Sequence, residues 1–206
     1  MTAHALAVFV RLFTGAQARW TGCRPEPRQR IYFANHTSNL DFVLLWAALP
    51  RELRQRTRPV AAHDYWTASR HRLLLAEKVF HALLIERKHV TRTNNPLQLM
   101  FRAIDDGDSL ILFPEGGRNP DGQVGTFKSG LYHLAKDRPD VEFIPVWIDN
   151  LSRVLPKGES LPLPILCSVS FGAPIRLETG EGKSAFLQRA RSAVVLLGGN
   201  APDQSC

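Results

Sequence analysis

The chain has 206 residues, 44% of them apolar and 22% charged, which suits one globular domain with a real core and excludes a disordered chain. Lysine and arginine outnumber the acids 26 to 19, a net charge of +7 with histidine neutral. Such a surface favours nucleic acid, an acidic membrane face, phosphorylated substrates or an acidic carrier protein. The three cysteines, Cys23, Cys167 and Cys206, are odd in number and widely spaced, which points to neither a disulfide framework nor a zinc site and fits a reducing compartment.

No apolar run reaches the roughly 18 residues of a spanning helix. The N-terminal stretch has no basic start, and Arg11 interrupts its apolar run, so a cleaved signal peptide fits poorly. Wound as a helix, residues 1–20 place Leu6, Phe9, Val10 and Phe13 on one face, with Arg11 and Arg19 off it. That amphipathic segment suits either the lipid headgroup layer or packing on the domain.

Residues 30–34 read as a buried strand, followed by a loop and a helix from Asp41 to Leu49 that Pro50 ends. Residues 58–62 read as a strand, and Asp64 as the N-cap of a helix to Lys78. Residues 82–85 form a short strand, and Asn95 with Pro96 opens a helix that stops near Gly107. Residues 109–113 are the clearest strand, and Thr126 is a candidate cap for a helix to Lys136. Residues 141–148 and 165–171 read as strands on either side of a Pro-rich surface loop at 155–164. A last helix spans 184–197, with Gly198 and Gly199 as its stop. This alternation predicts a single α/β domain over 21–200: a mixed, largely parallel sheet flanked by helices, preceded by the short amphipathic helix.

Three strings carry chemistry. Asn35-His36-Thr37-Ser38-Asn39-Leu40-Asp41 lies between a strand and a helix, at the sheet edge where ligands bind. Asp41 can fix the tautomer of His36 and so make it a base, or can serve only as a favourable charge at a helix start. Phe113-Pro114-Glu115-Gly116-Gly117-Arg118-Asn119 follows another strand. Its glycines permit close backbone approach and Arg118 offers a fork suited to phosphate, although the string also fits a polar turn. Gly125-Thr126-Phe127-Lys128-Ser129-Gly130 puts Lys128 in the first turn of the expected helix, where an anion would be favoured, or where a lysine is simply solvated. Gly182-Lys183-Ser184 lacks the first glycine of a P-loop. There is no GxSxG elbow and no HExxH or comparable metal cluster.

Taken together, NHTSNLD resembles the NHxxxxD block, and FPEGGRN the FPEGTRS block, of the 1-acylglycerol-3-phosphate acyltransferases and related glycerolipid acyltransferases. Ile85-Glu86-Arg87, Phe127-Lys128-Ser129-Gly130 and Phe143-Ile144-Pro145-Val146 match further family strings in the same order. The resemblance covers residues 30–150, and five ordered matches are far more specific than any one.

The resemblance implies an O-acyltransferase in which His36 is the general base, held by Asp41. The acceptor hydroxyl attacks a thioester directly, with no acyl-enzyme, metal or prosthetic group. Glu115 and Gly116 would shape the glycerol subsite, and Arg118, Arg87 and Lys128 would bind the acceptor phosphate. Acyl-CoA or acyl-carrier protein is the implied donor and a lysophospholipid the acceptor, 1-acylglycerol 3-phosphate first. An anionic membrane on the cytoplasmic face of the inner membrane is the implied surface, held peripherally. Three departures bear on the acceptor. Gly117 stands where the family has Thr, and Glu86 where Asp is frequent. Val60-Ala61-Ala62-His63 lacks the family's lysine, so His63 or another base replaces it or the acceptor differs. Glycerol 3-phosphate, another lysophospholipid and a lyso-aminolipid are the alternatives. A non-catalytic anionic-lipid binder would need no His–Asp pair, and a nucleic-acid binder would show aromatics interleaved with bases, which this chain lacks.

Overall fold

A computed structural model describes residues 3–86, 94–119, 121–149 and 167–199. In chain order the elements are α1 (Ala3–Thr14), β1 (Gln17–Trp20), β2 (Arg30–Ala34), α2 (Asp41–Ala48), α3 (Arg51–Gln55), β3 (Thr57–Ala62), α4 (His63–Thr67), α5 (Arg70–Lys78) and β4 (Leu83–Ile85). They continue with α6 (Pro96–Asp105), β5 (Ser109–Leu112), α7 (Gly130–Asp137), β6 (Glu142–Asp149), β7 (Ser168–Phe171) and α8 (Lys183–Gly199).

The strands form one sheet in the order β1-β7-β6-β2-β5-β3-β4. All neighbours are parallel except β6 and β7. Every residue of β2 and of β5 is buried, the signature of central parallel strands covered on both faces. One face carries α1, α2, α4 and α5, with Leu45, Trp46, Trp66 and Phe80 in its core. The other carries α6, α7 and α8, with Ile104, Leu134 and Phe186 inside. Because β2, β3, β4, β5 and β6 run the same way, the loops leaving them gather at one edge of the sheet.

Several local expectations change. Residues 1–20 are not one helix: Gly15 takes a left-handed φ of 57° and ends α1. The chain then enters β1, where Trp20 stacks on its register partner Phe171 at 3.9 Å. Within α1, Ala7 is buried and Leu6 and Val10 pack on the core, while Phe9, Leu12 and Phe13 remain exposed. The predicted common face is thus split between packing and solvent. The helix expected over 64–78 is two, interrupted at Ser69, whose backbone is extended. Asp64 lies inside α4 and Ala62 is the cap residue. Helix α3 was not expected; Pro50 ends α2 and also immediately precedes this next short helix.

Asn95 caps α6 as predicted, accepting from the Leu97 amide at 3.0 Å. Helix α7 starts at Gly130 without a Thr126 cap, so Lys128 precedes the helix and does not sit in its first turn. Gly198 and Gly199 belong to α8. A Cβ at Gly198 would meet the Trp147 ring at 2.6 Å, so this glycine serves close packing on β6. The Pro-rich loop and the start of the strand expected at 165 lie outside the described residues.

Candidate active site

The loop between β2 and α2 supplies the first half of the site. Asn35 is 2% exposed and clamps β6 with both ends of its amide: Nδ2 donates to the Ile148 carbonyl at 3.0 Å, and Oδ1 accepts from the Ile148 amide at 2.8 Å. A short polar side chain can thus continue the sheet's pairing past the last residue of β2 and fix where the loop leaves it. His36 follows. Its Nδ1 lies 2.8 Å from Asp41 Oδ2, and the same oxygen accepts the Thr37 amide at 2.7 Å and the Ser38 amide at 2.8 Å. Asp41 is 0% exposed and His36 is partly open.

The two backbone N–H groups already make this oxygen an acceptor, so the ring nitrogen that faces it is suited to donate. Nδ1 is therefore the protonated ring nitrogen, and Nε2 keeps its lone pair. The Phe113 ring stacks on the imidazole at 4.2 Å and 22°, limiting its tilt. Sequence reasoning named His36 and Asp41 but gave no role to Asn35 or Phe113. Both lie inside the two recognised strings; what was missing was the pairing between strands that gives them partners.

The loop after β5 supplies the second half. Gly116 has a φ of 70°, a conformation suited to glycine. A Cβ there would come within 2.6 Å of Lys128 Cε and Nζ, so the lysine side chain lies across this glycine. The Lys128 amide also donates to the Pro114 carbonyl at 2.8 Å. Gly116, Gly117, Arg118 and Lys128 all line a cavity of about 310 Å³ that includes His36. Glu115 is not in its wall: its Oε1 accepts the His36 amide at 2.9 Å and its Oε2 the Gly125 amide at 2.8 Å. Arg87 lies outside the described residues. His63 is exposed at the start of α4 and does not line the cavity.

The cavity is amphipathic. Arg118 and Lys128 provide positive charge near His36, while Val60, Ile85, Met100, Leu112, Leu131 and Leu134 form apolar wall. No carboxylate lines it among the described residues. The thiol of Cys167 feels the charge of Asp41, but burial chiefly, with Asp149 and Asp41, pushes it up to about 11. It is a protonated thiol at neutral pH and no ready nucleophile. Among the described residues no His, Cys, Asp and Glu cluster suits a metal ion. The arrangement can take a proton at Nε2, hold an anion and admit a hydrocarbon chain.

Residues 21–149, which contain this site, match the family model described as Acyltransferase. The chain belongs to the Acyltransferase family. Among curated acyltransferases, that of Limnanthes douglasii, a 1-acyl-sn-glycerol-3-phosphate acyltransferase, is 25% identical over 179 residues, covering 85% of this chain and 60% of that protein. The human 1-acyl-sn-glycerol-3-phosphate acyltransferase alpha is 26% identical over 178 residues, covering 83% and 59%. The chain thus spans about 60% of the length of these relatives. The crystal structure of the 1-acyl-sn-glycerophosphate (LPA) acyltransferase PlsC from Thermotoga maritima superposes with a TM-score of 0.75 at 18% identity, over 99% of this chain and 80% of that one. It shares the acyltransferase fold described here.

Proposed function

We propose that the protein transfers a fatty acyl group from a thioester, acyl-CoA or acyl-carrier protein, to the free hydroxyl of a lysophospholipid, with 1-acylglycerol 3-phosphate as the preferred acceptor. The observation that carries this reading is the 2.8 Å contact of His36 Nδ1 with Asp41 on a ring that opens into the same cavity as Arg118 and Lys128. Nε2 takes the hydroxyl proton as the oxygen attacks the thioester carbonyl. The tetrahedral intermediate collapses, the C–S bond breaks, and the imidazolium returns its proton to the departing thiolate. Arg118 and Lys128 hold the acceptor phosphate, Gly116 shapes the glycerol subsite by leaving room for the Lys128 side chain, and the apolar wall takes an acyl chain.

The substrates are lipids, and the exposed apolar side chains are placed accordingly. Among the described residues, all exposed large hydrophobics except Val195 and Leu196 lie on α1, α4, α5 or the turn before α2. This is the layer whose Phe42, Tyr65 and Trp66 also reach the cavity. Exposed Arg51, Arg70 and Arg72 accompany them, a combination that favours peripheral attachment to an anionic membrane. Among the described residues no helix is long and apolar enough to cross a membrane.

Gly117 and, from the string that lacks the family's lysine, Val60, Ala61 and Ala62 all line the cavity, so the acceptor panel must reach beyond lysophosphatidate. Purified protein with anionic vesicles, labelled acyl-CoA or acyl-carrier protein, and lysolipids of differing headgroup tests the proposal beside His36→Ala. Transfer by the wild type that His36→Ala abolishes supports it; transfer surviving in that variant overturns it.

A further inference from the structure

We infer that Glu115 is a positioning residue for His36 and makes no contact with the acceptor. The inference rests on the acyl-transfer reading and assigns within it the work of one side chain.

Both carboxylate oxygens of Glu115 are engaged by the protein itself. Oε1 receives the His36 amide and Oε2 the Gly125 amide. The Asn119 amide donates to the His36 carbonyl at 2.7 Å. The main chain of His36 is therefore held on its N–H side and its C=O side by one loop, and the Phe113 ring of that loop lies against its imidazole. Arg118 sits between the two residues that make these grips. The cation that meets the acceptor and the base that deprotonates it are thus tied through Glu115 and Asn119.

The chemistry at position 115 is specific. Both partners are N–H donors, so the bridge needs two acceptors. Gln offers one acceptor and one NH₂, which would face a donor. Asp offers two acceptors on a stem one methylene shorter, which draws the carboxylate back from both amides. Gly125 fits the same device: a Cβ there would lie 2.9 Å from Glu115 Oε2, so a side chain at 125 would push the carboxylate away from the Gly125 amide. A group that merely accepted a bond from a substrate hydroxyl would be replaceable by Gln and indifferent to Gly125.

The test compares Glu115→Gln and Gly125→Ala with the wild type, each checked for its folding transition. A base displaced by about 1 Å loses on the order of 100-fold in rate. The expected result is a kcat lower by about that factor in both variants, with the lysophosphatidate KM within about twofold. In the His36→Ala background Glu115→Gln should leave equilibrium binding of labelled lysophosphatidate unchanged, because a residue acting only through His36 makes no contact with the acceptor. A tenfold rise in KM with kcat retained, or a tenfold rise in Kd in the His36→Ala background, would overturn the inference. Should Glu115→Gln fail to fold, Gly125→Ala gives the same reading with the carboxylate present. Absence of transfer by the wild type would fall on the proposed function instead. Glu115 would then be judged by the His36 ring resonances, which Glu115→Gln shifts if the inference holds and leaves in place if it does not.

Discussion

One carboxylate oxygen of Asp41 holds the His36 ring and, with it, the turn on which that ring stands. Oδ2 binds His36 Nδ1 and the amides of Thr37 and Ser38, while the buried Oδ1 has no hydrogen-bond partner among the described residues. Asp41→Asn keeps an oxygen for the two amides but cannot supply the charge that stabilises an imidazolium, and it buries an NH₂. We expect kcat to fall by about 10²–10⁴-fold, the range for loss of acid–base assistance, in a protein that still shows a cooperative thermal transition. Turnover within a few-fold of wild type would mean that the pair is structural.

Arg118→Ala and Lys128→Ala should each raise KM for phosphate-bearing acceptors by about tenfold, equivalent to roughly 1.4 kcal/mol, with a smaller change in kcat. Gly116→Ala should resemble Lys128→Ala, since its Cβ would displace that side chain, and should also cost about 1–2 kcal/mol of stability because of the left-handed backbone. Steady-state kinetics and thermal melts read both effects. Unchanged acceptor KM in both cation variants would place the phosphate elsewhere.

The exposed apolar face of α1 should act at the membrane and not in the fold. Leu12 is 80% and Phe9 58% exposed, so Phe9→Ser with Leu12→Ser should leave the melting transition nearly where it was. Co-sedimentation with anionic vesicles should drop by about tenfold or more, as expected when buried apolar area is lost from an interfacial helix. Retained vesicle binding would move the contact surface to α4 and α5.

Cys167 should resist alkylation at pH 8 in the folded protein and react once the chain is unfolded in urea. Its thiol titrates near 11, against 9.0 for a free one. Between those values the unfolded chain has lost a proton that the folded chain still binds, so stability declines as pH rises through that window. Cys167→Ala should flatten this part of the pH–stability curve. Native alkylation at pH 8 would show that the thiol is accessible and its environment different.

Short-range chemistry determined much of this protein before any coordinates. Apolar runs placed β2, β3, β4 and β5, the Asn95–Pro96 pair placed the start of α6, and the strand-to-helix position of residues 35–41 already put a histidine and its acid at a sheet edge. All of these are signals carried by residues close together in the sequence. Tertiary structure decided the rest because the partners are far apart in sequence. β1 exists only by pairing with β7, the clamp of Asn35 on Ile148 spans 113 residues, and the bond from Glu115 to His36 spans 79. The same residue types fit a surface turn equally well until the packing of two loops against each other makes one of them a base and another its support.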